Sequence, residues 1–263
     1  MSAAKRHHFL PVFFIKQFTL PEGNFYVFDV KKRLFKNHGK LFFPATQFYE
    51  HHGNTVFFGT EPSQFIEDSF SNYDSKVAEI IKKVTRSSNW QLQSDEWTML
   101  QYFVNIVHWR IPSNKLKVLG YIDESVSLSD FRLKLFDSRT KGEVEIDQEL
   151  ELLKKMKADP DFHKYVKLIL PAITYPEIFT KEVQDNATIQ DFPFQLPKLI
   201  SDNPIIYRKG TESLHTDEFI FPLTPTKLLI RHKAKKIRVW SWVKILVDML
   251  TLVQADCYVA VTD

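Results

Sequence analysis

Between Ile66 and Val84 the side chains of Ile66, Phe70, Tyr73, Val77, Ile80, Ile81 and Val84 recur at intervals of three and four. That is the helical period, and it gathers all seven on one stripe that has to be buried. The chain must therefore supply a second apolar layer. A further helix starts near Ser94, a good N-cap, with Asp95 and Glu96 in its first turn, and stops before Pro112. Its apolar face is Trp97, Leu100, Phe103, Val104 and Val107. The sequence holds 23 phenylalanines and only 7 glycines, so the core is expected to be aromatic. So few glycines argue against glycine-rich phosphate loops and repetitive all-β architecture.

Around these two helices the pattern is mixed. Pro11 stands at a first helical position and Phe14, Ile15 and Phe18 follow at helical spacing, so a short helix should begin just after His7 and His8. Residues 24–29 and 32–35 read as a hairpin turning at Asp29-Val30-Lys31. Residues 120–142 read as polar and irregular, 144–158 and 161–170 as helices. Beyond Pro171, Pro176, Pro193 and Pro197, the runs 199–207 and 218–230 read as two strands, 240–254 as a closing helix and 257–261 as a final strand. The expected fold is therefore α+β: an N-terminal β-hairpin region, a central helical layer over about 62–185, and a C-terminal β-rich segment with a closing helix and strand. One domain over 1–263 accommodates it, and 44% hydrophobic residues suffice for its core.

Charge is nearly balanced, with 35 basic and 32 acidic side chains, so any nucleic-acid contact has to be local. The single cysteine, Cys257, rules out an internal disulfide and reads as a core residue in an apolar strand. No secretory leader is read in residues 1–18, and the apolar window 239–253 is shorter than the roughly 20 residues of a membrane span. A cytoplasmic protein without a membrane partner is expected.

Several polar features are candidates for chemistry. His7 and His8 are adjacent, so in an extended segment they point to opposite sides and one ligand or base is expected rather than two; helix capping and packing explain them equally well. Glu67 and Asp74 lie two turns apart beside the apolar stripe, suited to a hard metal or acid–base work, or else forming a solvated flank. Gln101, Asn105 and His108 form a stripe on the second helix that ends at Arg110, whose guanidinium suits a phosphate or carboxylate and also a helix C-terminus. Ser201-Asp202-Asn203-Pro204 interrupts a strand; Asp202 is a candidate metal ligand or base, or the head of an Asx turn. The run from Arg231 to Arg238, including Lys235 and Lys236 with Trp240 and Trp242 behind, suits single-stranded nucleic acid or a solvated loop. P-loop, G-x-G-x-x-G, H-E-x-x-H, G-x-S-x-G and paired C-x-x-C signatures are all absent from the sequence.

Taken in order, His7-His8-Phe9-Leu10-Pro11 with Phe14, Ile15 and Phe18, the helix bearing Glu67 and Asp74, Arg110-Ile111-Pro112, Ser201-Asp202-Asn203-Pro204 and Phe221-Pro222-Leu223-Thr224-Pro225 resemble a known pattern. It is that of the large, mostly bacterial family catalogued as domain of unknown function 4238. The pattern carries glutamine where Val12 stands and commonly where His108 stands. The resemblance implies one domain and brings no activity with it, while suggesting a link to toxin or defence loci.

Two functions follow as expectations. In one, a metal-dependent nuclease acting on RNA or DNA, His7 or His8, Glu67 and Asp202 converge on a divalent metal or scissile phosphate. Glu67, Asp202 and His8 are then the metal ligands, and Arg110, Asn203, His108, Lys235 and Lys236 bind substrate. In the other, a binding or regulatory module with a protein partner, the same residues pin an aromatic core.

Overall fold

The computed structural model describes residues 6–58, 61–86, 90–134, 136, 142, 146–174, 187–192, 198–207, 218–232 and 242–262. The first element is the strand β1 (Arg6–His8), followed by the expected short helix α1 (Val12–Ile15), with Pro11 at its N-cap, one place before the first helical position. Next come β2 (Phe25–Asp29), β3 (Leu34–Phe35), β4 (Leu41–Phe42), β5 (Tyr49–His51), β6 (Val56–Phe58) and β7 (Glu61–Ser63). The expected hairpin is β2–β3, and Asp29 Oδ1 accepts the backbone N–H groups of Lys31 and Lys32 to form its turn.

The helical layer consists of α2 (Phe65–Arg86), α3 (Ser94–Arg110), α4 (Lys115–Glu124), α5 (Ile146–Ala158) and α6 (Phe162–Ile173). The stripe read from Ile66 to Val84 is the buried face of α2, apart from half-buried Tyr73. The cap of α3 is Gln93 rather than Ser94, in a capping box with Glu96. Within the stretch read as irregular, α4 occupies the start: Gly120 sits mid-helix and its buried side chains are only Val118 and Ile122, too few to register as a period. Helix α6 runs through Pro171 to Ile173, where the Asn105 amide donates to the Pro171 carbonyl at 3.0 Å.

Two sheets complete the chain. Strands β8 (Ala187–Asp191), β9 (Lys198–Ser201), β10 (Ile206–Tyr207), β11 (Phe219–Thr224) and β12 (Lys227–Arg231) are followed by α7 (Val243–Gln254) and β13 (Tyr258–Thr262). One antiparallel sheet has the order β10-β11-β12-β8; the other runs β3-β2-β13-β9, with β4 also paired to β2. The run 199–207 is therefore two strands in two sheets, and 218–230 is a hairpin that turns at Pro225-Thr226. This mixture of helices and antiparallel sheets is an α+β fold.

The main core lies between α1, α2, α3 and both sheets. Phe14 stacks on Phe221 at 5.1 Å between ring centroids and meets Phe18 and Phe103 edge-on at 5.6 and 5.8 Å. Here the phenylalanine-rich composition becomes packing. No described helix is long and apolar enough to cross a membrane.

Candidate functional site

Antiparallel pairing of β1 with β5 sets His7 opposite Glu50 and His8 opposite Tyr49. Alternation along the strands then sends His7 and Glu50 to one face and His8 and Tyr49 to the other. On the first face the turn after β5 brings the Asn54 N–H to His7 Nδ1 at 2.8 Å, while the Asn54 side chain donates to Glu67 Oε2 at 2.7 Å. Glu50 faces the buried Lys167 of α6 at 3.5 Å.

Arg110, at the end of α3 and only 3% exposed, joins this group from the other side. Its Nη1 lies 3.0 Å from both oxygens of Asp74, its Nη2 donates to the His8 carbonyl, and its guanidinium covers the Phe70 ring at 4.6 Å. His7, His8, Glu67, Asp74 and Arg110 thus meet, and Glu67 and Asp74, half-buried and hydrogen-bonded, are not a free solvated flank. Arg110 is committed to a carboxylate of this chain.

Burial dominates the ionisation of Asp74, Lys167 and His8. It raises the pKa of Asp74 against the pull of Arg110, and lowers that of Lys167 against the pull of Glu50. It also lowers the pKa of His8, against a backbone hydrogen bond with Ala45 and the charge of Glu67. The folded chain therefore takes up this proton at lower pH than the unfolded chain, and His8 withdraws stability as pH falls below its ordinary value. In an NMR titration His8 should change charge below pH 6.5, the ordinary histidine value, and lower still in Glu67→Gln. A midpoint above the ordinary histidine value would show that burial does not govern it.

The other face of β5 opens onto a cleft of about 880 Å³. Lys31, Lys36, Gln47, Tyr49, His51 and Tyr258 line it. Lys36 Nζ lies 3.1 Å from Gln47 Oε1 and 4.8 Å over the Tyr258 ring, while Tyr49 meets the rings of both His8 and His51 edge-on. Cys257 belongs to the cleft wall and is half-buried, so it is not the core residue the sequence suggests. A side-chain hydrogen bond with Cys257 raises the pKa of Lys31.

Asp202 lines this cleft but does not join His8 and Glu67. Its Oδ1 accepts the Asp256 N–H at 2.8 Å, and its Oδ2 accepts those of Cys257 and Tyr258 at 2.8 and 2.9 Å. Burial nevertheless raises its pKa to about 6. The expected convergence of His8, Glu67 and Asp202 on one metal is thus replaced by two arrangements, because Asp202 organises the turn between α7 and β13. Among the described residues no group of three His, Cys, Asp or Glu side chains is placed to hold a metal ion.

The remaining candidates lie elsewhere. His108 is buried, with its ring 6.2 Å from that of Tyr207 and its carbonyl accepting from Asn114 Nδ2. Asn203, Arg231 and His232 line a second groove, of about 860 Å³, between the β10-β11-β12 sheet and the end of α7. Lys235 and Lys236, with the rest of the basic run from 233 onward, lie outside the described residues. Sequence reasoning missed Glu50, Asn54 and Lys167 in the buried group and the lysines and tyrosines of the cleft. The only local signal was a Lys31-Lys32-Arg33 run at a hairpin turn, where such residues are ordinary.

No curated protein and no solved structure matches the chain. The family model described as "Protein of unknown function (DUF4238)" matches residues 6–239, most of the chain and every shared motif named above, and the chain belongs to that family.

Proposed function

We propose that the chain is a non-catalytic binding module whose histidine, arginine and aspartate signatures are structural, and that the cleft beside β5 takes single-stranded nucleic acid. One observation carries this reading: Glu67, Asp74, Arg110 and Asp202 are taken up by side chains and backbone groups of this chain, whereas the cleft gathers Lys31, Lys36 and His51 around the rings of Tyr49 and Tyr258. Cations that follow phosphates, beside aromatic faces that receive bases, are the chemistry of sequence-tolerant strand binding.

Fluorescence polarisation of labelled oligo(U) and oligo(dT) tests it. Binding should weaken with added salt, and Lys31→Glu combined with Lys36→Glu should raise Kd by about tenfold or more. Unaltered affinity in that variant, or no binding by the wild type, would sink the proposal.

A metal-assisted phosphodiester hydrolase is the second reading, and His8 favours it. Its Nε2 is buried with no hydrogen-bond partner among the described residues, and its lowered pKa keeps the ring neutral, as a general base requires. Cleavage of the same oligonucleotides with magnesium or manganese, lost in His8→Ala at unchanged melting temperature, would put this reading in place of the first.

A further inference from the structure

Helix α7 has two apolar faces. Val247 and Thr251 are buried against the β10-β11-β12 sheet with Val243 and Leu250 beside them, and Lys244 is buried in an ion pair with Asp248. The opposite face presents Trp242, Ile245, Leu246, Met249, Leu252 and Val253 to solvent, with Met249 59% and Val253 79% exposed. No charged side chain interrupts this face. Side chains of this size and exposure amount to roughly 600 Å² per copy, so two copies exceed the roughly 1,000 Å² expected of a specific interface.

We infer that this face pairs with the same face of a second copy of the chain, in an antiparallel two-helix contact whose two-fold axis passes Met249. The exposed area matches what a dimer needs, and the helical spacing sets the register. Ile245, Leu246, Met249, Leu252 and Val253 are arranged symmetrically about position 249. A two-fold axis there sets Ile245 against Val253, Leu246 against Leu252, and Met249 against itself. Every exposed apolar side chain of the central turns then meets another, as an isologous interface requires. The partner's Trp242 arrives opposite position 256, just past the end of α7. An indole is the kind of side chain that anchors such a contact.

Sedimentation velocity of the full chain at micromolar concentration tests this. The wild type should sediment at twice the chain mass. Met249→Glu, which sets a carboxylate against its own image, should raise the dimer Kd by about 100-fold or more with melting behaviour unchanged for the monomer. Trp242→Ala should raise it by about tenfold. In a Cys257→Ser background, Met249→Cys should form a covalent dimer on mild oxidation, and Leu116→Cys, even more exposed on α4, should not. A wild type that stays monomeric overturns the inference, as does a dimer that Met249→Glu leaves intact. A monomer that instead floats with phosphatidylserine vesicles assigns the face to a lipid surface and likewise overturns it.

Discussion

Arg110→Ala should lower the free energy of unfolding by about 3–5 kcal/mol, the range for removing one partner of a buried ion pair. Three contacts disappear together: the pair with Asp74, the hydrogen bond to the His8 carbonyl and the cover over Phe70. Most of the loss comes from what stays behind, a buried Asp74 carboxylate without a counter-charge. That carboxylate can escape by taking up a proton. Asp74 already holds its proton to higher pH in the folded chain than in the unfolded one, and without Arg110 it does so more strongly. The folded state then binds more protons than the unfolded state, so the variant loses stability as pH rises from about 4 and the deficit is larger at neutral pH. Asp74→Asn in the same chain should recover part of it. Thermal and denaturant melts of the two single variants and the double measure the coupling. Additive losses would mean that the ion pair contributes nothing.

Asp202→Ala should cost about 2–4 kcal/mol, since three backbone N–H groups lose their acceptor and an unsatisfied buried donor costs about 1–3 kcal/mol. The loss should depend on pH. Folded Asp202 keeps its proton up to about pH 6 and the unfolded carboxyl releases it near the ordinary aspartate value of 3.8. Across that window the folded chain holds more protons, so the stability contributed by Asp202 is full below it, declines as pH rises through it, and is level above. Wild type and variant should therefore differ more at pH 4 than at pH 8. A difference that is small and flat with pH would show that the turn after α7 stands without Asp202.

What the sequence revealed follows the range of each interaction. The stripe on α2, the end of α3 at Ile111-Pro112 and the helix after Pro11 were legible because helical period and proline chemistry act within a few residues. Glu67 and Asp74 were legible as neighbours, but their partners Asn54 and Arg110 lie 13 and 36 positions away, which no local pattern encodes. Asp202 stood out as a polar break in a strand, yet its meaning rests on N–H groups more than 50 positions later. Strand β8 and helix α4 were missed because each is short and buries few side chains, so neither shows a clean period. The cleft was invisible for a related reason: the segment around the β2–β3 hairpin, β5 and β13 deliver its lysines and tyrosines from three separate stretches.

The position of β13 bears on how the chain reaches this state. It lies between β2 and β9, so the larger sheet is zipped from its middle by Tyr258–Thr262, paired with Tyr26–Asp29 and Lys198–Ser201. During synthesis β2 emerges more than 200 residues before its partner, and until then both flanking strands present bare ladder edges. Assembly of that sheet is a late, long-loop event, slow compared with formation of α2 and α3. Nascent chains halted before residue 258 would be the aggregation-prone population, held in solution by whatever covers Phe25 and Val27 in the interval.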